Sequence, residues 1–120
     1  MICAFLMVSV ALTTAALAAS FGVYVPGYGA GSTTSAVNKD FSGNAHARVN
    51  SYEGQIQSGS FRLYESTSAV SSQVSWATGQ EKSIAYYAGS GLVNHSYKLK
   101  VYSNSLEPNQ SSSASGTFTP

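Results

Sequence analysis

The sequence predicts an all-β protein, an antiparallel β-sandwich of about seven strands, with a small β-barrel as the alternative. Three observations carry this. Apolar residues after position 20 recur with period two, as in Ala45-His46-Ala47-Arg48-Val49 and Tyr97-Lys98-Leu99-Lys100-Val101. That spacing buries one face of a strand and wets the other. Turn residues break these runs at roughly ten-residue intervals, and no window after position 20 has helical periodicity.

The first element lies outside the predicted fold. MICAFLMVSVALTTAALAAS carries no charge from Ile2 to Leu17 and ends in Ala16-Leu17-Ala18. This reads as a secretory signal peptide over residues 1–18, cut after Ala18 or Ala19. The apolar run is short for a membrane span and is interrupted by Thr13 and Thr14, so no stable span is expected after cleavage. Cys3, the single cysteine, leaves with this segment. The domain expected over 19–120 therefore has no disulfide, no cysteine-ligated metal and no thiol nucleophile. The expected location is extracellular.

Within the domain, a first strand is expected over 21–25, stopped by Pro26. The following stretch, VPGYGAGSTTS, holds Gly27, Gly29 and Gly31. It lacks the lysine of a phosphate-binding loop and the third glycine and helix of a dinucleotide fingerprint. It is expected to be a mobile connection. Strands then follow over 45–52, 59–65, 69–76, 82–88, 95–103 and 112–119. The turns between them include Ser42-Gly43-Asn44, Thr78-Gly79, Gly89-Ser90-Gly91 and Glu107-Pro108-Asn109. The inward faces supply Val49, Phe61, Leu63, Val70, Val74, Trp76, Ile84, Tyr86, Tyr97, Leu99, Val101 and Phe118 as the expected core.

Charge and chemistry narrow the function. Only 9% of the chain is charged and the net charge is +1, against about 25% charged residues in an average domain. Nucleic acid and acidic lipid are poor partners for such a surface. His46 and His95 have no metal-ligand spacing and read as solvent-exposed. No serine sits in a nucleophile elbow. Glu53, Glu65 and Glu81 form no recognisable acid pair. No catalytic residue, cofactor or metal site is expected, and the reading is non-enzymatic. Eight tyrosines exceed what a small core needs. Tyr87 and Tyr102 fall opposite inward neighbours, and Tyr28 sits in the glycine stretch. These three are the candidate contacts to a sugar, a peptide or another protein. Asn94-His95-Ser96 and Asn109-Gln110-Ser111 fit glycosylation sequons at expected turns.

A signal peptide, then Phe21-Gly22-Val23-Tyr24-Val25-Pro26, a Gly/Ser-rich loop, Ser/Thr-rich strands and the ending Ser115-Gly116-Thr117-Phe118-Thr119-Pro120 form a recognisable layout. It is similar to small secreted proteins of Gram-positive bacteria, grouped as a domain family of unknown function. That resemblance implies a secreted β-sandwich without assigned activity. A fainter likeness is to the lactococcin 972-like bacteriocins, which are small, exported, cysteine-free β-sandwiches. The expected function is thus binding or interaction at or outside the cell envelope, with an unknown protein or a cell-envelope glycan as partner. The alternatives are a bacteriocin-like antibacterial toxin and a secreted hydrolase.

Overall fold

The structure, a computed structural model, describes residues 18–26, 31–54, 57–104 and 111–120. The expected signal peptide up to residue 17, Tyr28 and the sequon at Asn109 lie outside the described residues. The fold is all-β, with no helix among the described residues. Its strands are β1 (Ala19–Pro26), β2 (Gly31–Thr33), β3 (Val37–Asn38), β4 (Ala45–Tyr52), β5 (Ser58–Glu65), β6 (Ser68–Ala69), β7 (Val74–Ala77), β8 (Glu81–Ile84), β9 (Ser96–Ser103) and β10 (Ser111–Thr119).

Two antiparallel sheets face each other. The first has the order β1-β10-β4-β8. The second is built on β9 and β5, with β2 and β3 along the free side of β9 and β6 and β7 along the free side of β5. Both sheets keep open edges, so the fold is a sandwich and the barrel alternative does not hold. Pro26 ends β1, an edge strand, the kind of position where a residue without an N–H is tolerated.

One core fills the space between the sheets. Val25, Ala47, Val49, Ile84, Ala114 and Phe118 come from the first sheet, and Phe61, Leu63, Trp76, Tyr97, Leu99 and Val101 from the second. The alternation within β5 and β9 is regular, with every second residue buried. Trp76 is 1% exposed. Its ring stacks on Phe61 at 6.1 Å and meets Tyr52 edge-on at 5.5 Å. Its indole N–H donates to the Tyr102 carbonyl at 2.9 Å. Gly59 permits this approach, since a Cβ there would stand 1.8 Å from the Tyr102 carbonyl oxygen and 2.7 Å from the indole nitrogen.

Several sequence expectations need correction. Among the described residues there are ten strands, several of them short, against about seven expected. Gly31–Thr33 and Val37–Asn38, expected to be loop, pair with β9. The strand expected over 69–76 is two short pieces, β6 and β7, separated by Ser71 and its neighbours. Ser71 is buried, and its hydroxyl takes the Leu63 N–H at 2.9 Å in place of a ladder partner. The strand expected over 82–88 stops at Ile84, and beyond it only Tyr86 makes a bridge, to Ser71. Strand β4 contains a shift of register, with Ser115 opposite Ser51 but Gly116 opposite Val49. Asn50 is the extra residue of this bulge. Strict alternation would turn Tyr52 outward; the bulge turns it into the core, where its hydroxyl bonds Ser103 Oγ at 2.7 Å across the sandwich.

Candidate functional site

The outward face of the second sheet gathers the side chains that a binding surface would use. Period two in β5 and β9 places Ser60, Arg62 and Tyr64 outward beside Tyr102, Lys100 and Lys98 respectively. These positions are half-buried. Ser75 from β7 and Thr33 from β2 extend the face on either side. Tyr87, 44% exposed, joins it from the segment after β8.

The contacts across this face are specific. The Arg62 guanidinium donates to the Ser71 carbonyl at 2.8 Å and to the Tyr87 hydroxyl at 3.2 Å. Hydrogen bonds from Ser72 and then Arg62 hold the Tyr87 phenol below its ordinary pKa. The Lys100 ammonium lies 5.3 Å from the Tyr102 ring centre and 5.5 Å from that of Tyr64, within cation–π range. Burial, followed by a hydrogen bond with Tyr64, pushes the Tyr102 phenol up to about 12. Gly31 makes room for this group. A Cβ at Gly31 would stand 2.9 Å from the Tyr102 ring and from the Lys100 stem.

The two outer faces of the sandwich differ in charge pattern. On the first sheet, Arg48 stands directly opposite Glu81. On the second, Arg62 stands directly opposite Lys100. Like charges facing each other across a ladder are destabilising. None of Arg62, Lys98 and Lys100 pairs with a carboxylate among the described residues; the nearby Glu65 is held by His95 Nδ1 at 2.7 Å.

The structure brings together two of the three tyrosines singled out from sequence. Tyr102 and Tyr87 both touch the Arg62 and Lys100 group. Sequence reading missed Tyr64, Arg62 and Lys100 as members. Their signal was present: in Phe61-Arg62-Leu63-Tyr64 and Leu99-Lys100-Val101-Tyr102 each polar residue alternates with a core residue. What the sequence lacks is the register that sets the two strands side by side.

Other candidates carry less chemistry. A cleft of about 420 Å³ opens between β1 and the segment Thr33–Val37. Phe21, Val23, Val37 and Phe118 line it, together with small polar residues and no titratable side chain. His46 and His95 are exposed; His46 is on β4 of the first sheet and His95 stands directly before β9 of the second. Among the described residues no group of three His, Cys, Asp or Glu side chains comes together as a metal site. No helix is long and apolar enough to cross a membrane, among the described residues.

Comparison with protein-family models, with curated proteins and with solved structures finds no match to the chain.

Proposed function

We propose that this chain is an exported, non-enzymatic binding module that acts at or outside the cell envelope through the outer face of β5 and β9. The observation that carries the proposal is the clustering there of Tyr64, Tyr87 and Tyr102 with Arg62, Lys98 and Lys100. Tyrosine gives large contact area at a low cost in side-chain entropy. Arginine and tyrosine are the residues most enriched where interfaces carry their energy. The face lies on the two central strands of its sheet, so the sandwich holds it rigid. Export is supported by the apolar, uncharged leader and its Ala16-Leu17-Ala18 ending.

The test is retention of the protein on insoluble cell-wall material from a Gram-positive bacterium, with Tyr87→Ala and Tyr102→Ala as variants. The wild type is expected to be retained. Each variant is expected to lose about tenfold in apparent affinity, as for removal of a side chain worth more than about 1 kcal/mol at an interface, while its melting curve stays cooperative. Equal retention of wild type and both variants would place the contact elsewhere.

A further inference from the structure

We infer that the ligand of this face is an acidic polysaccharide, with sugar rings on Tyr87 and Tyr102 and its anionic groups on Lys98 and Lys100. The inference rests on the surface assignment above and adds the chemistry of the partner.

Charge complementarity is the first argument. Arg62 and Lys100 face each other across the ladder, and Lys98 is two residues from Lys100 on the same side. The two opposed cations turn to neutral acceptors. Arg62 reaches a carbonyl and a phenol, and Lys100 reaches two aromatic rings. The sheet thus keeps a cost that an anion seated on Lys100, with Lys98 beside it, would reduce. On the opposite face no like charges stand directly opposite, since Arg48 faces Glu81 in the register.

The backbone supplies the second argument. Both β5 and β9 are paired along both sides, β9 with β2, β3 and β5, and β5 with β9, β6 and β7. An extended peptide gains most of its affinity by adding a strand to a free edge, and this face has none to offer. Recognition must run through side chains alone. Aromatic rings that cover the apolar face of a pyranose, next to cations that meet its carboxylate, fit that requirement and favour a glycan over an acidic peptide. A nucleic acid is disfavoured because the chain's net charge is only +1.

Calorimetric titration separates these readings, with oligogalacturonate as the acidic glycan, dextran as the neutral one and poly-L-glutamate as the acidic peptide. Oligogalacturonate is expected to bind, and to bind more weakly as NaCl is raised. Dextran is expected to show no heat, and poly-L-glutamate to bind at least about tenfold more weakly than the glycan. Replacing both lysines (Lys98→Gln with Lys100→Gln) is expected to cost about tenfold in affinity for oligogalacturonate, the combined effect of two exposed ion pairs. Arg48→Gln removes one positive charge from the other sheet and is expected to change nothing. Three results would overturn the inference: no binding of oligogalacturonate, an equal loss with Arg48→Gln, or poly-L-glutamate binding as tightly. Dextran binding that needs Tyr87 and Tyr102 but neither lysine would keep the surface and overturn the acidic ligand. If none of the three polymers binds and cell-wall retention ignores both tyrosines, the surface assignment falls as well.

Discussion

Replacing Trp76 with alanine tests the packing that joins the two sheets. The side chain is 1% exposed, stacks on Phe61 and meets Tyr52 edge-on. Burial this complete puts the substitution at about 3–5 kcal/mol, the transfer and cavity cost of removing a large aromatic ring. The Tyr102 carbonyl also loses its indole donor, which adds about 1 kcal/mol if water does not replace it. A small domain has about 5–15 kcal/mol in total. In a domain of up to about 100 residues, 1 kcal/mol shifts Tm by about 4–8 °C, so Trp76→Ala should lower it by at least about 12 °C. Trp76→Phe keeps a ring against Phe61 but loses the N–H, and should cost about 1–2 kcal/mol. Melting followed by far-ultraviolet circular dichroism reads both variants. A Trp76→Ala protein that melts within about 2 °C of wild type would mean that Trp76 is not a buried, stacked core residue, since removing such an indole costs about 3–5 kcal/mol.

Tyr52→Phe deletes the hydroxyl that bridges the sheets to Ser103, and should cost about 1 kcal/mol in a urea melt with an unchanged m-value. Gly59→Ala forces a Cβ against the Tyr102 carbonyl, so it should destabilise by more than about 2 kcal/mol, read by the same melt, where a neutral surface glycine would not. Lys39 is fully buried, donates to the Gly43 carbonyl at 2.8 Å and lies 4.7 Å from the Tyr86 ring centre. Burial lowers its pKa from 10.5. Between the lowered value and 10.5 the unfolded chain holds more protons than the folded one, so stability rises with pH across that window. The rise ends where tyrosines begin to ionise in the unfolded chain; Tyr102, pushed up to about 12 when folded, then makes stability fall. Lys39→Met should flatten this rise, read in urea melts at alkaline pH below 10.5.

The regular parts of this fold are legible in the sequence, because in β5 and β9 the buried face and the wet face alternate without interruption. Phe61, Leu63, Tyr97, Leu99 and Val101 are core residues on that ground alone, and all five are buried. The failures have local causes. The bulge at Asn50 inverts the phase, so Tyr52 enters the core from a position that alternation assigns to solvent. The Ser71 side chain substitutes for a ladder partner and splits one expected strand. Strands β2 and β3 are three and two residues long, shorter than any periodicity can register. Lys39 is buried through a carbonyl and a ring, neither of which its sequence neighbours announce. The candidate site was half legible for a related reason. The outward direction of Tyr87 and Tyr102 follows from pattern, whereas their meeting with Arg62 and Lys100 depends on cross-strand register and on the turn after β8. The glycine stretch changes meaning in the same way. Gly31 belongs to β2, where its missing side chain leaves space for the Tyr102 ring.

Binding is proposed to run through the outer face of β5 and β9. Amide chemical-shift mapping of the ¹⁵N-labelled protein, titrated with soluble cell-wall fragments, tests it most directly. Shifts are expected to concentrate on Ser60 to Tyr64, Tyr87 and Lys98 to Tyr102, with the strands of the first sheet unmoved. Shifts confined to β1, β4 and β10, or none at all, would contradict it.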